Sequence, residues 1–303
     1  MDVFALVRLR LALTLGAIGL VLGTSIGGTA SATTPTGATT FWVLRSPSSA
    51  PSPRVNEAMV YDAALRSVVL FGGSAPNGCG YLCADTWLWN GSNWSQRTSV
   101  NTPPARQAAA IAYDSAAQNV VMFGGYGLEG ILQDTWILSK NGWNQVKPAT
   151  SPPARGLAQM AYDQATSSTV MFGGIGLGGA LGDTWTWKNG NWTQQHPAAS
   201  PSPRYEHGIA YDAATSTVVL FGGIASNATY FNDTWEYDGS GWTQITFAPG
   251  TTPSVRGGMA MTYDWNLGTV VLFGGSGAGG ELADTWTYTG RHWSQVLDRK
   301  SVV

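Results

Sequence analysis

Two charged residues recur in step along this chain: Arg54, Arg106, Arg155, Arg204 and Arg256, followed in turn by Asp85, Asp134, Asp183, Asp233 and Asp284. A repeated carboxylate could hold a cation or move a proton. Each of these Asp, however, opens the same Asp-Thr-Trp triplet, and one acid per repeat followed by Thr is the residue pair of a turn cap that accepts backbone N–H bonds. The five Asp are therefore read as structural, and the five Arg with them. Only three His are present, His196, His207 and His292, far apart in sequence, so a multi-His metal centre is hard to build. His196 and His292 flank Trp-containing segments and read as surface residues. Cys79 and Cys83 share one short segment. In an exported chain they form a local disulfide that staples the loop; a two-Cys metal site is the alternative, with no His nearby to complete it. Within residues 41–297 neither a Gly-x-Ser-x-Gly elbow nor a phosphate loop occurs.

Structure accounts for what recurs, so binding chemistry is sought in what varies at matching positions. The three residues after each Arg differ from copy to copy, as do the stretches between each Phe-Gly-Gly and Asp-Thr-Trp. Loops on a rigid scaffold commonly carry binding. The polar and aromatic candidates there are Tyr81, Tyr126, Glu129, Asn227, Tyr230, Phe231 and Glu281, joined by Glu57, Tyr205, Glu206 and His207 from the segments after Arg. The competing reading of each is an ordinary solvated loop residue.

The elements that must position these side chains follow from a period of about 50 residues. Tyr-Asp pairs begin at Tyr61, Tyr113, Tyr162, Tyr211 and Tyr263, each seven residues after its Arg. In every copy two Trp lie seven apart, from Trp87 and Trp94 to Trp286 and Trp293. In the fourth copy, 205–211 and the apolar run Val218–Phe221 read as a hairpin whose second strand is buried on both faces. Gly222-Gly223 ends it where the backbone must turn or pack closely. Asp233–Tyr237 is a third strand, 238–241 a tight turn, and Trp242–Ile245 a fourth. Four antiparallel strands per repeat make one blade of a β-propeller. A unit this short cannot bury its own apolar faces and must stack on its neighbours. The fold class is thus all-β.

Composition agrees. Gly 39, Pro 15, Trp 14 and 11% aromatics describe a turn-rich β protein. With 11% charged residues and a formal net charge of -2, nucleic acid and anionic membrane surfaces are not indicated as partners. Residues 1–32 read as a secretory signal: Arg8 and Arg10, an apolar stretch Leu11–Leu22, then Ala30-Ser31-Ala32 before the cleavage point. The alternative is an uncleaved anchor, for which the apolar run is short. Cleavage implies a secreted or extracytoplasmic location with no membrane attachment thereafter. Residues 33–40 are a linker and 41–297 the propeller. Residues 298–303 match nothing in the repeats and spell what a common sequencing adapter encodes, so they are read as a non-native tail of a truncated gene.

The pattern of Arg, Gly-Gly and paired aromatics over about 41–296 resembles the kelch motif of the galactose oxidase-like propellers in secreted bacterial-type proteins, with Trp at the first aromatic position where Tyr is frequent. The resemblance implies that the two rings pack between neighbouring blades, and that His207, three after its Arg, is a packing residue before it is a base or ligand. It also implies closure of the ring by a strand from one terminus. Trp42 lies 12 residues before Arg54, the spacing of Trp94 to Arg106, so Phe41–Leu44 is read as an orphan fourth strand of an incomplete six-bladed ring; five closed blades plus a spare strand is the competing arrangement. The copper chemistry of galactose oxidase needs two His, two Tyr and a Cys joined to one Tyr, which this chain does not offer. A sialidase-like nucleophilic Tyr with an acid partner cannot be picked out either. Fold alone supplies no activity. The sequence is read as a non-catalytic recognition module without cofactor or metal, binding a protein or a glycan through its variable loop face. The alternative is the propeller portion of an extracellular carbohydrate-active or oxidase enzyme whose catalytic part lies elsewhere.

Overall fold

The computed structural model describes residues 44–296. The signal segment, the linker, the tail and all of the orphan strand except Leu44 lie outside the described residues; Leu44 itself is exposed and in no strand.

Among the described residues the chain forms five four-stranded antiparallel sheets. Blade 1 comprises Ala58–Asp62, Ser67–Phe71, Thr86–Trp89 and Trp94–Arg97, and blade 2 Ala110–Asp114, Asn119–Phe123, Thr135–Ser139 and Gly142–Val146. Blade 3 comprises Gln159–Asp163, Ser168–Phe172, Thr184–Lys188 and Asn191–Gln195. Blade 4 runs Gly208–Asp212, Thr217–Phe221, Thr234–Tyr237 and Trp242–Ile245, and blade 5 Ala260–Asp264, Thr269–Phe273, Thr285–Thr289 and His292–Val296. In each blade consecutive strands are neighbours. The first strands of successive blades pack on one another in the order 1 to 5, which makes them the inner strands of a kelch-type propeller.

The second strand of each blade is apolar on both faces because each face meets a different neighbour. In blade 2, Val120 and Met122 pack with Val69 and Phe71 of blade 1, while Val121 and Phe123 pack with Met160, Met171 and Trp192 of blade 3. Thr217–Phe221 is buried at every residue. Removing that surface from water is the main stabilising term, at roughly 25 cal/mol per Å² of apolar area. The outer-strand Trp locks each junction: Trp192 meets Phe123 of blade 2 edge-on at 5.4 Å between centroids, and its indole N–H donates to Thr135 Oγ1, also in blade 2, at 3.0 Å. Trp143, Trp242 and Trp293 repeat the bond to Thr86, Thr184 and Thr234.

The Arg–Asp pairs are structural, as expected, but their partners differ from the expectation of a turn cap. Arg155 sends Nη1 to Asp183 Oδ1 and Nη2 to Asp183 Oδ2, and also donates to the carbonyls of Gly173 and Pro153. The first Trp of the repeat completes the group, Trp185 Nε1 donating to Asp183 Oδ2 at 2.7 Å. Hence the carboxylate serves chiefly a fully buried guanidinium and an indole, with its own backbone N–H a smaller partner. Turn capping falls instead to the Asp of Tyr-Asp: Asp114 Oδ1 accepts from the N–H of Ala116 and Ala117. Burial opposes charge on Asp85, Asp134 and Asp183, yet the bonds from Arg and Trp outweigh it and hold these carboxyls below 3.8. For Asp284 the bond from Arg256 is itself the largest influence, in the same direction.

Candidate binding face

Each inner strand runs from the segment after Arg to the Tyr-Asp turn, and the second strand returns to Gly-Gly. The segments after Arg and the loops after Gly-Gly therefore share one face of every blade. There they pair with each other: Val55 with Ser74, Gln107 with Tyr126, Gly156 with Ile175, Tyr205 with Ile224 and Gly257 with Ser276. Both Gly of each Phe-Gly-Gly have positive φ, and at the first the fit is exacting. A Cβ on Gly173, at φ 63, would sit 2.4 Å from the carbonyl oxygen of Arg204.

Part of the variation read as functional is packing between blades. Tyr126 of blade 2 is buried and lies over Gly156 of blade 3, where a Cβ would be 2.3 Å from its ring. Ile224 covers Gly257 in the same manner, at 2.5 Å. Large residues in one loop thus fill the space that Gly leaves in the next blade. Burial, with Tyr205 and Glu206 close by, pushes the Tyr126 phenol well above its ordinary range. Tyr205 and Glu206 are half-buried beside it.

His207 is fully buried and meets the ring of Phe172 edge-on at 5.5 Å. Burial first, and the Arg204 charge second, hold its imidazole down to about 3, so it is neutral at working pH and unable to serve as an acid. Phe231 receives the Arg204 guanidinium on its face at 4.1 Å, and its backbone ties blade 4 to Arg256 of blade 5. Tyr230 pairs with Ile224. Glu57 is half-buried, and desolvation raises its carboxyl against the opposing pull of its own backbone N–H and Arg54. Cys79 and Cys83 are joined as a disulfide. Asp85 lies close to both sulfurs, but its oxygens are taken by Arg54 and Trp87.

Of the candidates, Tyr81, Glu129 and Asn227 stand exposed in the loops, and Glu281 is exposed on a short strand paired with Ser276. The structure adds two that sequence reasoning missed: Leu128 is 77% and Leu177 93% exposed. Each sits at the first position of a two-residue turn in a short hairpin, Tyr126–Gly127 with Gly130–Ile131 and Ile175–Gly176 with Gly179–Ala180. An apolar residue in a Gly-bounded turn was the available signal, since such turns are ordinarily polar or Gly-rich. Neighbouring loops touch, with Ser226 of blade 4 accepting the Ala180 N–H at 2.7 Å.

A family model described as the KLHDC2/KLHL20/DRC7 Kelch-repeats domain matches residues 185–301. No curated protein matches the chain. The match falls on the outer half of blade 3 and on blades 4 and 5, and together with the repeated four-stranded sheets it fits a kelch-type β-propeller.

Proposed function

We propose that this chain is a non-catalytic protein-interaction module that meets its partner with the loop face carrying Tyr81, Leu128 and Leu177. The observation behind this is the pair of leucines held almost wholly in water on short, hydrogen-bonded hairpins. Exposed apolar side chains on a pinned backbone cost little entropy to bury, and a rim of Glu129 and Asn227 suits the polar border of a protein interface. The test compares the wild-type chain with Leu128→Asp/Leu177→Asp in crosslinking capture from the native extract. A partner held by the first and released by the second, at equal melting temperature, supports this reading. Identical capture by both sinks it.

A glycan is the second reading, favoured by one feature. Trp265 is 63% exposed at the Tyr-Asp turn of blade 5 and meets Tyr263 edge-on at 4.8 Å, and exposed rings of this kind stack on sugar faces. That turn lies at the end of the sheet opposite the loops. Export is proposed from the charged, apolar and small-residue order of residues 1–32, and the N-terminal sequence of protein recovered outside the cytoplasm would decide it.

A further inference from the structure

The loop face carries one sign of charge. The three residues after each Arg and the stretches from each Gly-Gly to Asp-Thr-Trp together hold Glu57, Glu129, Glu206 and Glu281, and contain no Lys and no Arg. Their only His, His207, is buried and held neutral. The Asp that follows each stretch adds no net charge, since it is paired with its own Arg. Exposed cations gather at the opposite end of the sheets instead, at Arg66, Lys140, Lys188 and Arg291. Two of these are already engaged, Lys188 with the Thr166 carbonyl and Arg291 with Glu236.

Acid and apolar surface meet in a single turn. Leu128 and Glu129 are the two turn residues of the hairpin that pairs Tyr126–Gly127 with Gly130–Ile131, and both are exposed. Leu177 repeats the apolar half one blade on, and Glu281 repeats the acidic half on the short hairpin of blade 5. The frame beneath them is tied from blade to blade in one direction. Gly125 N–H donates to Arg155 C=O, Arg155 N–H to Leu132 C=O, and Leu157 N–H to Ala108 C=O, and the same three bonds recur at the junctions of blades 1 with 2, 3 with 4 and 4 with 5. A face fixed in this way loses little freedom on binding. A long basic side chain matches the turn at Leu128 and Glu129 in both respects, because its methylene stem covers apolar surface while its charged head stays beside the carboxylate. A guanidinium adds a planar fork that fits a carboxylate.

We infer that the occupant of the loop face is a cationic protein segment in which Lys or Arg stands next to a large apolar residue. This rests on the reading of the face as a protein-binding surface and adds the chemistry of the partner. Charges of one sign around a binding face speed the approach of the opposite sign and turn away their own, so acidic and phosphorylated segments are excluded. A second copy of the chain is the poorer occupant. It would dock by its opposite, cation-bearing end, and a contact between unlike faces that does not close grows into filaments.

Random linear peptides displayed on phage and selected on the full chain test the inference. Selected peptides should share a Lys or Arg beside a large apolar residue. For one of them, synthesised with a fluorophore and followed by anisotropy, Leu128→Asp/Leu177→Asp should abolish binding at an unchanged melting temperature. Glu129→Gln/Glu281→Gln should weaken binding by about three- to tenfold. Glu129→Lys/Glu281→Lys should weaken it further, with recovery on a peptide whose Lys and Arg are replaced by Glu. Peptides that need the leucines yet carry no Lys or Arg, or that ignore the changes at Glu129 and Glu281, overturn the inference and leave the protein-binding reading standing. Binding that ignores the leucine changes overturns that reading and the inference with it. Selection of no peptide overturns the inference. Sedimentation showing a mass that rises with concentration, and that Glu129→Lys/Glu281→Lys abolishes, identifies a second copy as the occupant and overturns it also.

Discussion

His207 shows how far a residue's identity can mislead about its work. It sits third after its Arg, where blade 5 has Met259 and blades 2 and 3 have Ala109 and Ala158, and it fills the same inter-blade space as those apolar residues. Both ring nitrogens are buried without a partner. Since folding lowers its affinity for a proton from 6.5 to about 3, the unfolded chain takes up that proton first as pH falls. The native state is therefore fully favoured above 6.5 and loses stability between 6.5 and about 3, at up to about 1.4 kcal/mol per pH unit. His207→Met should flatten this slope, measured as urea unfolding at pH 7.5 and pH 5. An unchanged slope would show that the imidazole gains a proton without cost in the fold. The kelch resemblance had already marked this position as one of packing; what the sequence did not give is the partner, Phe172 on the neighbouring blade.

At the scale of the element, the junction between blades is the unit of stability. Its sharpest component is the bond from an outer-strand indole to a Thr hydroxyl one blade away. Thr135→Val keeps the shape of the side chain and strands the Trp192 indole, which is fully buried. The loss should be about 1–3 kcal/mol of unfolding free energy, read by chemical denaturation, and a change under about 0.5 kcal/mol would deny the bond a stabilising role. The strands themselves were legible from the sequence: the fourth blade's Val218–Phe221 and Trp242–Ile245 lie where alternation and turn residues put them, with Thr217 added at one edge. The small hairpins around Leu128 and Leu177 were not. Their strands are two residues long, too short for any periodic signal, and exist because the segment after each Arg supplies a neighbour to pair with.

For the whole molecule, the repeated Arg–Asp groups set the response to acid. Asp85, Asp134, Asp183 and Asp284 all hold their protons less tightly folded than unfolded. Stability from them is complete above the unfolded value of 3.8 and falls as pH drops below it. Because one such group stands in each of four blades, acid unfolding should be a single steep transition below about pH 4 rather than a series of steps, monitored by near-UV dichroism of the Trp. A plateau with part of the signal retained would mean that blades melt one by one. The blade count of the repeat region could be taken from the sequence because Tyr-Asp and Trp pairs mark every unit; closure of the ring could not, since it depends on bonds between residues at opposite ends of the chain.

The directional bonding of one blade to the next has a consequence for ancestry. A unit that offers the same backbone donors on one flank and the same acceptors on the other can be exchanged with its siblings wherever the large loop residue of one still meets a Gly of the next, so gene duplication or unequal recombination can lengthen or shorten the array in whole steps. Excising residues 156–256, for instance, would leave Arg155 followed by Gly257, so that the Gly125 amide keeps its carbonyl and Tyr126 again faces a Gly.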